Sequence, residues 1–390
     1  MRVLQTSQRA RGRGLLAALV LTTVAATTLA GCATHAPEAS SPRRPRASRP
    51  AASPGRSARP AARAPWQHPP GPGRGHLAPG SDPGVLPGDV LIADKLNNRL
   101  LVVDPHGRIR WRFPRPGDLR PGEGFKIPDD AFFTADGRHI LATEEDDYVI
   151  RLVDVRHHRI VYRYGKPGVP GHGPDRVWNP DDAIMLPGGR IVTADIKNQR
   201  LLLIGRHGHR PLRHWGDVDH GYHQPPRHYG APNGMFPAGH GRFLVTEIRG
   251  DWVDEVDLHG HVFWSTHPPG VAYPSDTNRI GPDRYLTVDY SSPGQIVVFN
   301  RRGKALWRFR GTHRHPLDHP SLALPLPNGD ILCNDDRNDR VIVVDPHTDK
   351  IVWQYGHYHT PGRRPGYLAN PDGVDLVPPY SLVDRTLLHR

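Results

Sequence analysis

One stretch of this chain reads His214-Trp215-Gly216-Asp217-Val218-Asp219-His220-Gly221-Tyr222-His223 and continues to His228. Imidazole nitrogen beside carboxylate oxygen suits Zn²⁺ or another transition metal, and a histidine titrating near neutrality can act as base or nucleophile. His220 and His223 are therefore candidate catalytic residues, with Asp217 and Asp219 as candidate metal ligands. Other histidines sit in comparable stretches: His172, His267, His313, His315, His319, His357 and His359. A chain rich in Arg, His and Pro that places these residues on solvated loops accounts for the same pattern. No pair has a dedicated ligand spacing on a defined strand or helix. A second set follows a recurring proline: Asp130, Asp182, Asn233, Asp276 and Asp372. Their hard oxygen donors suit Ca²⁺ or Zn²⁺, while Pro followed by Asp, Asn or Ser is also ordinary turn chemistry. The chain has no Gly-rich phosphate loop, no G-x-S-x-G elbow and no H-E-x-x-H, so nucleotide use and the commonest hydrolase mechanisms lose weight.

Residues of this kind do chemistry only if something brings them together, and the sequence supplies that element by repeating itself. The triplets Pro128-Asp129-Asp130, Pro180-Asp181-Asp182, Pro232-Asn233-Gly234, Pro274-Ser275-Asp276, Pro320-Ser321-Leu322 and Pro371-Asp372-Gly373 recur at spacings of 52, 52, 42, 46 and 51. Each opens a short apolar stretch, then a turn such as Leu326-Pro327-Asn328-Gly329, then a strand ending in an acid: Asp94, Glu144, Asp195, Glu247, Asp289 or Asp335. A more apolar strand follows, as in Leu100 to Val103 or Val341 to Val344, and its continuous Val/Ile/Leu content predicts burial on both faces. A last strand carries an aromatic residue, Trp111, Tyr162, Trp215, Trp264, Trp307 or Trp353, placed to pack between sheets. Four strands per unit with no helical periodicity predict an all-β, six-bladed β-propeller. Residues 88–127 supply three strands of a first blade, and residues 371–380 supply the missing one, so N- and C-terminal strands are expected to share one blade and close the ring. With 41 Gly and 43 Pro the chain cannot be an all-helical bundle, and two cysteines cannot make a disulfide scaffold.

The segments Asp94-Lys95-Leu96-Asn97-Asn98-Arg99, Asp195-Ile196-Lys197-Asn198-Gln199-Arg200 and Asp335-Asp336-Arg337-Asn338-Asp339-Arg340 resemble the D-x-x-N-x-R segment of NHL repeats. That resemblance implies a pairing of acid and arginine across a turn within one blade. The second, fourth and fifth units depart from it, with Val149, Trp252 and a Pro293-Gly294 turn at or near the arginine position. The Leu-Pro-Asn-Gly-Asp-Ile-Leu and Trp-x-Tyr elements resemble arylsulfotransferase-like and quinoprotein-like propellers, and Asp345 to Trp353 resembles a degenerate tryptophan-docking motif. Six-bladed lactonases and lyases hold Ca²⁺ or Zn²⁺ in the central channel, which the resemblance extends to Asp130, Asp182, Asn233, Asp276 and Asp372. Pyrroloquinoline quinone is not expected, because its usual enzymes have eight blades. Such rings host binding proteins as well as enzymes. Two readings follow: a scaffold binding a ligand or protein partner, or an enzyme at the channel mouth, either a metal-dependent lactonase or lyase or an arylsulfotransferase-like transferase.

Residues 1–31 read as a lipoprotein signal peptide: four arginines and no acid, the apolar run Leu15 to Ala30, then Leu29-Ala30-Gly31-Cys32, which resembles the lipobox of bacterial lipoproteins. Lipidation at Cys32 would tether an exported chain to the outer face of the cytoplasmic membrane. Residues 32–87, with 13 prolines and 8 arginines beyond Cys32 and almost no large apolar side chain, read as a disordered stalk, and 88–390 as the propeller. The formal charge of +12 divides into +4 for residues 1–32, +6 for 33–87 and +2 for the rest. The basic character lies in the export signal and stalk, which points to a membrane or wall surface rather than to nucleic acid.

Overall fold

A computed structural model describes Ala64, Trp66 and residues 75–387. The proposed signal peptide, Cys32 and most of the proposed stalk lie outside these residues.

The first blade opens with β1 (Val90–Asp94), β2 (Arg99–Val103) and β3 (Ile109–Phe113). The second holds β4 (Ala131–Phe133), β5 (His139–Glu144), β6 (Val149–Asp154) and β7 (Arg159–Gly165), and the third β8 (Pro180–Met185), β9 (Ile191–Asp195), β10 (Arg200–Ile204) and β11 (Pro211–Gly216). The fourth consists of β12 (Pro232–Gly239), β13 (Arg242–Glu247), β14 (Trp252–Asp257) and β15 (Val262–Thr266). The fifth comprises β16 (Pro274–Gly281), β17 (Arg284–Asp289), β18 (Gln295–Phe299) and β19 (Ala305–Phe309). The sixth comprises β20 (Ala323–Pro325), β21 (Ile331–Asp335), β22 (Arg340–Asp345) and β23 (Lys350–Gly356). The chain then returns as β24 (Pro371–Leu376), which pairs antiparallel with β1 and completes the first blade, and ends in the short helix α1 (Leu382–Leu387). Six four-stranded antiparallel sheets form the ring, as the repeat count predicts.

The third strand of each blade is buried on both faces: Leu100, Leu101, Val102 and Val103 have no exposed area, nor do Val341 to Val344. Sheets packed face to face leave no solvated side for a polar residue, hence the apolar runs; β6 with buried Arg151 and β14 with buried Asp254 and Glu255 depart from this. Outer-strand tryptophans tie one blade to the next. Trp111 Nε1 donates to the Val155 carbonyl at 3.0 Å, and Trp353 Nε1 to the Pro105 carbonyl at 2.8 Å, whereas Nε1 of buried Trp215 meets no acceptor.

The D-x-x-N-x-R segments fold alike. After β1 the chain makes one 3-10 turn, Lys95–Asn97, and Asn98 adopts the left-handed conformation (φ 53°). Asp94, wholly buried, accepts from Asn97 Nδ2 (2.9 Å), Arg99 Nε (2.5 Å) and the Ala369 backbone N–H (2.8 Å). The remaining guanidinium nitrogens of Arg99 donate to the Arg363 and Tyr367 carbonyls, in the connection that arrives from the sixth blade. Asp195 with Asn198 and Arg200, and Asp335 with Asn338 and Arg340, repeat this pattern. Each acid thus fixes its own turn and holds the incoming connection of the preceding blade. That is why carboxylate, amide and guanidinium recur at fixed spacing.

Residues 75–87, assigned to the stalk by composition, follow a defined path. Leu77 forms a bridge with Tyr355, and the Ala78 and Asp82 amides donate to the carbonyls of Gln354 (3.1 Å) and Val352 (2.8 Å) on β23. The chain crosses the edge of the sixth blade before entering the first. Among the described residues no helix is long and apolar enough to cross a membrane.

Candidate functional site

Three positions per repeat converge on the axis of the ring. The first is the residue after the recurring proline: Asp129, Asp181, Asn233, Ser275, Ser321 and Asp372. All six line one cavity of about 50 Å³ together with Lys95, Asp130, Glu145, Tyr273 and Tyr290. One residue further on come Asp130, Asp182, Gly234, Asp276, Leu322 and Gly373. The third position follows the strand-ending acid and supplies Lys95, Glu145, Tyr290 and Asp336 to the channel. In the other two blades it holds Ile196 and Ile248.

Asp130, Asp182 and Asp276 each bring a carboxylate oxygen within 4.8 Å of the others, and Asp129, Asp130 and Asp181 do the same. Room for the first group comes from two glycines. A Cβ on Gly234 would lie 2.6 Å from Asp276 Oδ1 and 2.9 Å from Asp182 Oδ2, and a Cβ on Gly373 would lie 2.7 Å from Asp130 Oδ1. All three contacts are closer than a side chain tolerates. Asp182 is 1 % exposed and Asp276 2 %, yet neither oxygen of Asp182, nor Asp276 Oδ1, nor Asp130 Oδ1 meets a donor other than a neighbouring carboxyl, Asp182 and Asp276 being close enough to share a proton. An uncompensated buried carboxylate costs several kcal/mol, so it takes up a proton or a cation.

Lys95 is the sole cation of the cavity lining. Its ammonium contacts Asp129, bonds Asp372 Oδ2 at 2.6 Å and lies 3.7 Å from Glu145 Oε2. Burial disfavours charge on Lys95, but Asp129, Asp372 and Glu145 outweigh it and hold the ammonium protonated. Burial likewise raises Asp372, and here Lys95 with the neighbouring hydrogen bonds prevails, leaving its carboxyl below the usual range. The others go the opposite way. Burial and neighbouring carboxylates push Asp129, Asp181 and Asp182 well above the ordinary range, and burial does the same to Asp276. Asp130 is raised to about 7, chiefly by burial. Carboxyls crowded out of water in this way hold protons near neutrality unless a cation displaces them.

All donors are oxygens: aspartate and glutamate carboxylates, the Asn233 amide, and the Ser275 and Ser321 hydroxyls. Two oxygens each about 2.4 Å from one ion stand at most about 5 Å apart, so the observed clustering fits a hard cation of the Ca²⁺ type. At the same mouth, His319 Nδ1 lies 2.5 Å from Asp318 Oδ1 and its ring meets Tyr290 edge-on at 4.8 Å. A carboxylate-oriented imidazole beside the cavity wall can move a proton.

The histidine-rich stretch is the connection from β11 to β12, and it divides its candidates between two places. His220 Nδ1 bonds Asp217 Oδ2 at 3.0 Å, and its ring lies 4.9 Å from that of buried His228. Asp219 is exposed, and its amide donates to Asp217 Oδ1. His223 turns away to Glu247 and Asp254. Neither group includes a channel residue. Motif and spacing alone do not nominate Lys95, Glu145, Tyr290 and Asp336, although their common register, one residue past the strand-ending acid, is a signal that could have found them.

The ring of six four-stranded blades defines the chain as a six-bladed β-propeller. No protein-family model and no curated protein matches it in sequence. Many solved structures share the fold. A protein of unknown function from Bacteroides caccae is 16 % identical, with a TM-score of 0.53 over 75 % of this chain and 99 % of that one. A chain of a nidogen/laminin complex is 13 % identical, with a TM-score of 0.53 over 74 % and 98 %. A streptogramin B lyase is 16 % identical, with a TM-score of 0.48 over 73 % and 83 %.

Proposed function

We propose that this chain is an exported, lipid-tethered propeller that captures a divalent cation of the Ca²⁺ type in its channel and uses the surrounding face to bind a ligand or protein partner at the cell envelope. The observation that carries the cation is the trio Asp130, Asp182 and Asp276, with buried oxygens that meet no donor but a neighbouring carboxyl, in a space cleared by Gly234 and Gly373. Five connections from an outer strand to the next blade's innermost strand carry His172, His220, His267, His319 and His357, and one of these rings, His319, meets Tyr290 of the channel wall. The cavity of about 50 Å³ has room for an ion or a few waters, which suits cation capture.

Metal analysis and thermal unfolding of the purified protein test the cation. The protein should retain close to one equivalent of Ca²⁺ and lose thermal stability when it is removed. Gly234→Ala, whose added methyl meets Asp276 and Asp182, should abolish retention while the ring still folds. Ca²⁺ retained by that variant at wild-type affinity would remove the site. The tether rests on Leu29-Ala30-Gly31-Cys32 after a charged and apolar leader. Cys32→Ser should abolish membrane fractionation and incorporation of labelled fatty acid; unchanged labelling would refute lipidation.

A further inference from the structure

In five blades the acid that ends the second strand has a donor of its own. Arg99, Arg200 and Arg340 serve Asp94, Asp195 and Asp335 from five residues on. In the second blade Val149 takes that place, and Arg151, two residues later, reaches Glu144 at 2.6 Å. In the fifth, Gln295 donates to Asp289 at 2.8 Å. The fourth blade breaks the rule. Its ladder has the register of the second, with Glu247 opposite Trp252 and Val245 opposite Asp254, just as Glu144 faces Val149 and Ala142 faces Arg151. Where the second blade has its arginine, the fourth has a second acid.

Glu247 and Asp254 are both fully buried. Glu247 accepts from the Gly230 amide and lies 2.7 Å from His223 Nδ1, and Asp254 Oδ2 is 3.9 Å from the same nitrogen. Neither oxygen of Asp254 makes a well-formed hydrogen bond, although Ser265 stands opposite on β15. The His223 ring is stacked on Trp252, with centroids 3.9 Å apart and planes at 9°, and the far side of Trp252 carries His267 at 3.6 Å. The imidazole is thus held in one orientation, and its side chain keeps 19 % of its surface in solvent.

We propose that the fourth blade binds a Zn²⁺-type transition metal between His223, Glu247 and Asp254, in place of the arginine, or in the fifth blade the glutamine, that serves the equivalent acid elsewhere in the ring. One nitrogen and two carboxylate oxygens lie within 4.8 Å of one another, and this set matches three protein ligands with an open position toward solvent. The imidazole separates the site from the all-oxygen channel, which favours Ca²⁺. The inference goes beyond the channel reading and does not depend on it.

Cobalt and zinc titrations of the EDTA-treated full chain test this, read by the visible ligand-field absorption of Co²⁺ and by the unfolding temperature. Wild type should bind one equivalent with a nitrogen-containing spectrum, and Zn²⁺ should raise the unfolding temperature. His223→Ala should weaken binding by more than about 100-fold, since even outer-shell changes cost 10- to 100-fold. Asp254→Arg, which copies the second blade's Arg151, should erase the zinc response and leave metal-free protein more stable than metal-free wild type. If that variant does not fold, Asp254→Asn serves, with the same loss of zinc response expected. The double substitution Asp182→Asn, Asp276→Asn in the channel should leave the cobalt spectrum intact. A cobalt spectrum unaltered by His223→Ala, or abolished by the channel substitutions, would overturn the proposal. So would a wild type with no zinc response, because Glu247 and Asp254 would then be sharing a proton.

Discussion

A chain ending at Asn370 should fail to give a soluble monomer. Truncation there removes β24, the innermost strand of the first blade, and with it buried Val374 and Leu376. It also removes Asp375, whose carboxylate accepts from the Phe133 amide of the second blade (2.9 Å) and from the Leu382 amide (2.8 Å). Three losses then coincide. β1 acquires an unpaired hydrophobic edge, a ready template for pairing with another chain. The first and second blades lose the strand that packs between them. Lys95, buried in the channel, loses Asp372 and keeps only part of its compensation, and a broken buried ion pair alone costs about 3–5 kcal/mol. Against a total stability of about 5–15 kcal/mol, such losses exceed what a ring can absorb. A chain ending at Leu387 is the control and should behave as wild type. Gel filtration and circular dichroism decide the matter: a truncated monomer with a cooperative transition within a few degrees of the full chain would show that the seam is dispensable.

The second large effect concerns pH. Without a cation, Asp130 holds its proton up to about pH 7, whereas in the unfolded chain it loses it near the ordinary carboxyl value of 3.8. Asp181, Asp182 and Asp276 are raised in the same direction. A group with a raised folded-state pKa contributes stability that is complete below its unfolded pKa and is lost as pH rises through the folded value. The metal-free protein should therefore become less stable from about pH 4 to pH 7, by a few kcal/mol at about 1.4 kcal/mol for each tenfold change in proton affinity. Calcium, bound as proposed, should reverse the trend. Protons and Ca²⁺ compete for the same oxygens, so the cation gains affinity as the carboxyls ionise. At a thousandfold excess over its Kd it contributes about 4 kcal/mol, or roughly 8 °C for a chain of this size. The expected result is an unfolding temperature that responds strongly to Ca²⁺ at pH 8 and hardly at all at pH 5. Equal responses at both values, or an EDTA-treated protein no less stable at pH 8 than at pH 5, would contradict a shared carboxylate site.

How much of this was legible depends on what each residue must do. Asp94, Asn97 and Arg99 form a local circuit that closes within six residues, so their chemistry repeats at fixed spacing and can be read directly. The same holds for the apolar third strands, since burial on both faces leaves little freedom of pattern. The channel is different. Asp130, Asp182 and Asp276 could be nominated from their place after proline, but their approach depends on Gly234 and Gly373, which as residues after proline and Asn or Asp read as turn formers. Lys95 and Glu145 occupy a position whose occupant changes from blade to blade, and a search for repeats averages such a position away. Pairing His220 with His223 rests on closeness in sequence. In the loop Asp217 captures His220, while Glu247 on β13 captures His223, and it is contacts distant in sequence that sort them.

If the chain is tethered by its N-terminus as proposed, the path of residues 77–82 along β23 has a mechanical meaning. A pull from that end first loads the clip made by the Ala78 and Asp82 amides on the sixth blade, together with Ser81 Oγ, which accepts from the Gln354 amide at 3.1 Å. These few bonds open one after another. Releasing them frees residues 77–82, and a chain extends by at most about 3.5 Å per residue, so the body moves outward by up to roughly 20 Å before the load passes to Leu86, buried in the core, and to the Val85 carbonyl held by Asn328, and then to β1. There β24 and β2 flank the loaded strand on both sides, and the ladders must shear together instead of unzipping. The clip is a fuse: it yields, dissipates the load and can re-form, while the ring that carries the binding surface stays closed.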